Sequence, residues 1–137
     1  MSFLLDTNVL SEFRKGARCD PRVAAWRDAN RTVLPWTSVL CVGEVRCGIE
    51  RVRGRDPAFA AALDAWLQAL VLGFGDRVLP VEAAAADLWG RWDARQTLPA
   101  VDGLIAATAA VHGLTLVTRD TQAVAWTGVA VLDPFGA

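Results

Sequence analysis

The sequence predicts an α/β protein in which a central parallel β-sheet lies between two layers of helices. Three observations support this fold class: short apolar or β-branched runs recur along the chain, segments of helical periodicity separate them, and Gly or Pro marks many of the boundaries. Strands separated by helices pair in parallel, and a parallel sheet is covered on both faces, so the pattern favours a three-layer α/β/α sandwich. The 137 residues are enough for one domain, which we expect to span residues 1–137.

Five short segments are predicted to be strands. Residues 114–118 (LTLVT) have the clearest β pattern, and residues 32–37 are apolar and β-branched, although Pro35 suits the start or the edge of a strand. The predicted strands are residues 2–5, 32–37, 77–81, 114–118 and 129–132.

Six longer segments have the apolar spacing of helices. Several begin at a capping residue, as at Asp20-Pro21, Ser38 and Asp56-Pro57, because Asp and Ser cap helix N-termini and Pro fits the first turn. The predicted helices are residues 9–15, 21–30, 39–53, 57–72, 82–96 and 99–112, and a short helical turn follows Asp120.

Composition excludes several classes of protein. Three Cys without a C-x-x-C pair fit a reducing cytoplasm better than a disulfide framework. The start of the chain lacks the basic region of a signal peptide, and no uncharged apolar run reaches the roughly 20 residues of a membrane span, so we expect a soluble protein. A net charge of -1 is the opposite of the basic excess of a bulk nucleic-acid binder, yet Lys15 is the only lysine and nearly all the positive charge is arginine, which suits phosphate contacts.

Four carboxylates stand in apolar sequence, where an unpaired charge is costly: Asp6, Glu44, Asp102 and Asp120. Asp6 and Asp120 follow predicted strands, and ligands of parallel sheets bind outside the carboxyl ends of strands, so both should face one crevice. Asp102 and Glu44 lie near the starts of two helices and can reach that crevice if those helices pack on the sheet. Four oxygen ligands without His or Cys suit a hard cation, Mg²⁺ or Mn²⁺, rather than zinc.

Each acid also has a purely structural interpretation. Asp6 and Asp120 could cap the helices that follow them, and Asp102 could be a first-turn acid favoured by the helix dipole. Glu44 is hardest to explain in this way, because Gly48 occupies the i+4 position where a helical ion-pair partner would stand.

Other chemistries lack their residues. The only histidine, His112, lies at a predicted helix end, and no glycine-rich phosphate loop with its lysine is present. Phosphotransfer from a strand-ending Asp needs a lysine late in the chain, and Lys15 is too early. Cys19, Cys41 and Cys47 are interpreted as small core or surface residues.

Four motifs follow one another along the chain: LDTNVL (5–10), GEVRCGIE (43–50), DGLIAATA (102–109) and LVTRD (116–120). Together they resemble the PIN-domain ribonucleases, and within them the VapC toxins of the FitB-like type. The resemblance covers essentially the whole chain. It implies a Rossmann-like PIN fold, a cytoplasmic Mg²⁺- or Mn²⁺-dependent RNA endonuclease, and a homodimer that a VapB-like antitoxin neutralises in a heterotetramer or larger complex. Operator DNA would be bound only through the antitoxin.

The family's acidic quartet corresponds to Asp6, Glu44, Asp102 and Asp120 as catalytic and metal-ligating residues, although many family members carry Asn at the last position. Thr7, Asn8 and Thr118 match its supporting polar positions. Candidates for steering RNA phosphates are Arg14, Lys15, Arg46 and Arg119, with Arg91 and Arg95 as weaker ones.

The antitoxin groove is placed on the apolar stripes of the helices at residues 39–53 and 57–72, with Trp66, although most residues in such stripes belong to cores. Two other functions fit the same acidic cleft. One is a metal-dependent phosphoesterase with non-RNA substrates, and the other is a non-catalytic PIN-like binding scaffold.

Overall fold

A computed structural model describes residues 2–136 and contains one five-stranded parallel sheet with the strand order β3-β2-β1-β4-β5. Helices connect the strands and flank the sheet, so the predicted α/β sandwich is confirmed. The strands are β1 (Phe3–Leu5), β2 (Trp36–Ser38), β3 (Val78–Leu79), β4 (Thr115–Val117) and β5 (Val131–Leu132). The helices are α1 (Thr7–Arg14), α2 (Pro21–Ala29), α3 (Val39–Arg53), α4 (Pro57–Phe74), α5 (Ala83–Arg95), α6 (Ala100–Val111) and α7 (Thr121–Ala125), and 3₁₀ turns cover Gly16–Arg18 and Gly75–Arg77.

Strand β1 is the centre of the sheet, and all of its residues are buried. Leu5 is in register with Thr37 of β2 on one side and with Val117 of β4 on the other. The chain segments that leave these three strands therefore emerge next to one another. The backbone N–H of Asp6 extends the pairing by donating to the carbonyl of Val117 at 3.0 Å.

The predicted strand at residues 32–37 is wrong in its first part. Residues 32–35 form a turn and irregular backbone, and strand pairing starts at Trp36. The N–H of Val33 bonds back to the carbonyl of Asn30, which closes a turn after α2, and Pro35 has no N–H to offer a neighbouring strand. The segments predicted at 77–81, 114–118 and 129–132 also form strands, each with shorter bounds than predicted.

Helix starts agree closely with the capping signals. The side chains of Asp20, Ser38 and Asp56 accept bonds from backbone N–H groups in the first turns of α2, α3 and α4. Helix α3 therefore follows β2 without a connecting loop. This direct strand-to-helix step puts the first turns of α3 at the carboxyl edge of the sheet.

The hairpin of α3 and α4 has a small core of its own, distinct from the main core around the sheet. Val45, Ile49, Ala60 and Leu67 are its buried residues. Outside this cluster, Asp64 of α4 accepts hydrogen bonds from the guanidinium groups of Arg46 at 2.6 Å and Arg53 at 2.8 Å. Apolar packing and an ion-pair network thus hold the two helices together.

Helix α4 with its following turn, Pro57–Arg77, is long and apolar enough to cross a membrane by length and composition alone. Only 11% of the most apolar 18-residue stretch of this segment is buried inside the structure. The sequence predicts no membrane span, because Asp, Arg, Gly or Pro interrupts every apolar run, and Asp64 lies within this one. The exposed apolar side chains of α4 include Leu72, which is 76% exposed, so this helix presents an apolar outer face.

Candidate metal centre

Asp6 stands at the carboxyl end of the central strand, and both of its carboxylate oxygens are held. Oδ1 accepts the backbone N–H of Thr7 at 2.8 Å, and Oδ2 accepts the hydroxyl of Thr118 at 2.8 Å. Asp6 is therefore the N-cap of α1, as its structural interpretation suggested. Each carboxylate oxygen has two lone pairs, so capping leaves Asp6 able to bind a cation as well.

Thr118, which is buried, links three segments of this edge. Its hydroxyl donates to Asp6 and accepts from the Asn8 amide at 3.3 Å and from the Asp120 backbone N–H at 3.2 Å. The Asn8 carbonyl oxygen accepts the backbone N–H of Arg119 at 3.1 Å. These bonds fix the loop after β4 against α1, and with it the position of Asp120.

Glu44 lies on the second turn of α3 and is half-buried. Its Oε1 accepts the hydroxyl of Thr7 at 2.5 Å. Among residues 2–136, no Lys, Arg or His forms a salt bridge with this carboxylate. Burial raises the pKa of Glu44 above its usual range, the Thr7 hydrogen bond partly offsets this, and the negative charges of Asp6 and Asp102 raise it further.

Asp102 lies in the first turn of α6. Desolvation of its carboxyl group raises the pKa of Asp102, and the charges of Asp6 and Asp120 add to the shift. The next residue, Gly103, lets α6 approach α5 closely, because a Cβ atom there would lie 2.3 Å from Cδ1 of Trp89. A larger residue at this position would clash with the side chains of Trp89 and Leu98.

Three acids of the predicted quartet share one small cavity of about 100 Å³. It is lined by Asp6, Asn8, Asp102, Leu116, Thr118, Asp120, Ala123 and Val124. Glu44 lines a different cavity together with Thr7, whose backbone N–H donates to Asp6. Because the charges of Asp6 and Asp102 both act on Glu44, the four acids form one cluster.

Cys41 is a neighbour of this centre that the sequence interpretation did not include. Its buried Sγ lies 3.9 Å from Oδ1 of Asp6 and 3.8 Å from the carbonyl oxygen of Leu5. Burial and the charge of Asp6 raise the pKa of the Cys41 thiol to about 11, so it stays neutral at physiological pH. Its position three residues before Glu44, on the same face of α3, is the sequence signal that could have identified it.

The candidate cations for RNA differ in their surroundings. Lys15 pairs with Glu12 at 3.0 Å, and Arg46 pairs with Glu50 and Asp64, so acidic partners already engage both. Among residues 2–136, Arg14 and Arg119 form no salt bridge. Arg14 lines the cavity that contains Glu44, and Arg119, next to Asp120, has its guanidinium 3.8 Å from the ring centroid of Phe135.

Comparisons with known proteins agree with this arrangement. The PIN domain family model matches residues 3–126. The chain is 34% identical to "VapC ribonuclease Y4jK" of Sinorhizobium fredii over 139 aligned positions that cover 96% of each protein. It is 32% identical to "Toxin FitB" of Neisseria gonorrhoeae over 96% of this chain and 97% of the relative.

Solved structures give the same result. The structure of FitAB bound to a DNA fragment contains a chain that superposes with a TM-score of 0.84 and 30% identity, covering 98% of this chain and 96% of that one. The crystal structure of FitAcB from Neisseria gonorrhoeae gives a TM-score of 0.83 and 32% identity, covering 98% and 99%. The strand order, the acidic edge of the sheet and these similarities together show that the chain belongs to the PIN domain family.

Proposed function

We propose that this protein is the toxin of a toxin–antitoxin pair and that it hydrolyses phosphodiester bonds of RNA with a divalent cation, Mg²⁺ or Mn²⁺. The observation that carries the proposal is the cluster of four acids, Asp6, Glu44, Asp102 and Asp120, none of which forms a salt bridge among residues 2–136. The relatives named as a VapC ribonuclease and as a toxin support it.

The donor set fits a hard divalent cation. Asp6, Glu44, Asp102 and Asp120 offer only carboxylate oxygens, which Mg²⁺ and Mn²⁺ prefer. The nearby Cys41 thiol keeps its proton at neutral pH, because its pKa is about 11. Burial raises the pKa values of Glu44 and Asp102, and the charges of neighbouring acids add to the rise, so a bound cation would favour the charged form of both carboxylates.

A bound divalent cation would activate water and offset the charge that develops on the phosphate during hydrolysis. Asp6 and Asp102 are the principal ligands in this proposal, and Glu44 and Asp120 support them. The hydroxyl of Thr118 holds Oδ2 of Asp6, and the hydroxyl of Thr7 holds Glu44, so each threonine fixes the direction in which a carboxylate points. Asn8 completes this support through its bond to Thr118.

Arginines on both sides of the centre would meet the RNA backbone. Arg14 lies on the side of Glu44, and Arg119 lies beside Asp120. The guanidinium of Arg119 lies over the ring of Phe135, 3.8 Å from its centroid, which restricts the side chain. With the acidic charge concentrated at a cation site, the rest of the chain is mildly basic through arginine, which reconciles the net charge of -1 with an RNA substrate.

The partners follow from the same relatives. Solved neighbours include FitAB bound to DNA and VapBC of Salmonella typhimurium bound to DNA, so we infer a VapB-like antitoxin that links this chain to operator DNA. We also infer a homodimer, a heterotetramer or larger complex with the antitoxin, and a cytoplasmic location, where RNA and free thiols such as Cys47 coexist.

The antitoxin groove fits the space between α3 and α4. A groove of about 740 Å³ is lined by Val39, Val42, Gly43, Arg46, Asp64, Leu67, Gln68, Val71 and Leu72. Other residues of the predicted stripes, such as Val45 and Ile49, are core residues of the hairpin. An apolar helix or strand of the antitoxin would cover Val71 and Leu72, which are exposed in this chain.

The experiment is cleavage of RNA by the purified chain with Mg²⁺, with Mn²⁺ and with a chelator, beside Asp6→Asn. We expect cleavage that requires the cation and is lost in the variant. If RNA stays intact while an aryl phosphate is hydrolysed, the protein is a phosphoesterase with other substrates. If calorimetry detects no binding of Mn²⁺, the protein is a non-catalytic scaffold. Full activity of Asp6→Asn contradicts the proposed site.

A further inference from the structure

A second cavity opens directly beside the proposed metal centre. Its volume is about 190 Å³. The residues that line it are Thr7, Ser11, Arg14, Glu44, Val45, Gly48, Ile49, Phe59, Leu63 and Trp66. Thr7 and Glu44 belong to both sites, since the Thr7 hydroxyl bonds to Glu44 across the boundary. The cavity therefore lies next to the acidic centre, with Thr7 and Glu44 at the boundary.

The side chains that line this cavity suit a flat, partly apolar ligand. Val45, Ile49 and Leu63 contribute apolar surface, and the ring of Phe59, which is 40% exposed, stands accessible at the wall. The guanidinium of Arg14 lies 5.6 Å from the centroid of that ring. Among residues 2–136, Arg14 forms no salt bridge with a carboxylate, so its charge is available to a ligand.

The size of the cavity favours one ring system. Drug-sized ligands occupy pockets of about 300–1,000 Å³, and this cavity is smaller. The groove between α3 and α4, at about 740 Å³, is large enough for a protein segment. The two apolar sites therefore differ in the ligand that each can take.

We propose that this cavity binds one unstacked base of an RNA substrate, next to the nucleotide whose phosphate is cleaved. The inference rests on the proposed ribonuclease function and adds a base-binding site to it. Single-stranded RNA is recognised by bases that stack on aromatic rings and arginine planes. Phe59 stacks on the base, and Arg14 contacts the base or the adjoining phosphate. A base held in a duplex cannot enter, so cleavage is confined to loops and single strands.

The test is a binding titration that does not depend on cleavage. Short single-stranded RNA carrying the fluorescent base 2-aminopurine is titrated into the chain in the Asp102→Asn background, which removes a proposed metal ligand outside the cavity. We expect Phe59→Leu, which keeps an apolar side chain but removes the ring, to weaken binding roughly 10-fold, within the range reported for base stacking. Phe59→Tyr keeps the ring and retains the affinity.

Matched controls and a second readout complete the experiment. Val111→Ala shortens an exposed apolar side chain of α6 that lines neither cavity, and Arg31→Ala removes an exposed arginine of another surface; both leave binding unchanged. With otherwise unmodified protein, Phe59→Leu and Arg14→Ala raise KM for single-stranded RNA more than they lower kcat, and sequencing of the cleaved ends shows a relaxed base preference.

The outcomes separate this inference from the proposed function. If the protein cleaves no RNA, the proposed function fails, and the 2-aminopurine titration still decides the base site. If Phe59→Leu and Arg14→Ala bind RNA as tightly as their background and keep its cleavage sites, the base site is overturned.

Discussion

Helix α3 carries two glutamates in opposite electrostatic surroundings. Glu44 faces Asp6 and Asp102, and burial and these acids raise its pKa. Two turns later, Glu50 accepts bonds from Arg53 at 2.7 Å and Arg46 at 3.1 Å, and these arginines lower its pKa. An acid among arginines has its counter-charge within the protein, whereas an acid among acids lacks one. The difference identifies which of the two is available for a cation.

Two aspartates repeat the contrast. Hydrogen bonds from Arg53 and Arg46 lower the pKa of Asp64 to about 2, while desolvation and neighbouring acids raise that of Asp102. Asp64 contributes to the α3–α4 hairpin, and Asp102 contributes to the acidic edge of the sheet. The number of acids in a region is thus less informative than the charges around each one.

The largest expected effect comes from neutralising Asp102, and the same substitution at Asp64 is its control. Asp102→Asn should lower RNA cleavage by about 100-fold or more, because substitutions that merely support metal ligands already cost about 10–100-fold. Asp64→Asn removes the same charge from the ion-pair network and should keep cleavage within about two-fold of the unmodified protein, since Asp64 contacts no proposed ligand. Rates at matched Mg²⁺ concentration measure both. Similar losses in the two variants would remove the distinction between the two regions.

The next effect concerns the hydroxyl that positions Asp6. Thr118→Val keeps the shape of the side chain but loses the bond to Oδ2, so Mn²⁺ affinity or activity should fall about 10–100-fold. The control is Thr108→Val, where the lost bond goes to the carbonyl of Leu104 within α6. Calorimetric titration with Mn²⁺ distinguishes them. Unchanged affinity in Thr118→Val would assign this hydroxyl to folding alone.

A smaller effect should appear in thermal stability. Because folding raises the pKa of Glu44, the metal-free folded state binds the proton of this carboxyl group more tightly than the unfolded chain does. Glu44 therefore destabilises the fold once the pH rises above 4.5, the ordinary pKa of a glutamate. Glu44→Gln should therefore raise Tm at pH 7 without metal and reduce the increase in Tm that Mg²⁺ produces.

Glu50→Gln should act in the opposite direction. The lowered pKa of Glu50 means that its stabilising contribution is present above 4.5 and is lost as pH falls through the folded pKa. The variant should lower Tm slightly at pH 7, with no difference from the unmodified protein at low pH. Differential scanning fluorimetry across pH measures the Tm of both variants. If Glu44→Gln and Glu50→Gln shift Tm in the same direction at pH 7, the contrast between the two glutamates is wrong.

The smallest effect is expected from the surface network itself. Arg53→Ala removes bonds to Glu50 and Asp64, and because these groups are solvent-exposed the urea midpoint should fall only slightly. The decrease should shrink at high salt, which screens exposed charges. Arg91→Ala, which breaks an exposed pair with Asp87 on α5, is the control and should have a smaller effect still.

The sequence predicted the order of strands and helices well, because their signals are local. Ser38 and Asp56 act as the caps that they were predicted to be. The strand predicted from residue 32 failed for a local reason as well, since apolar β-branched residues before Pro35 resemble a strand but form a turn. Arg46 was a candidate for RNA until the structure placed Asp64, 18 positions later, beside it.

The sequence by itself determined the secondary structure pattern and the presence of four acids in apolar surroundings. Only the tertiary structure decided their partners: Thr7 holds Glu44 across 37 positions, and Thr118 holds Asp6 across 112. It also brought the Cys41 thiol to Asp6 and left Arg14 without an acidic partner among the residues described. The physical reason is the distance along the chain over which each effect acts. Caps and periodicity act within a few residues, whereas the charge around a carboxylate depends on which strands become neighbours in the sheet.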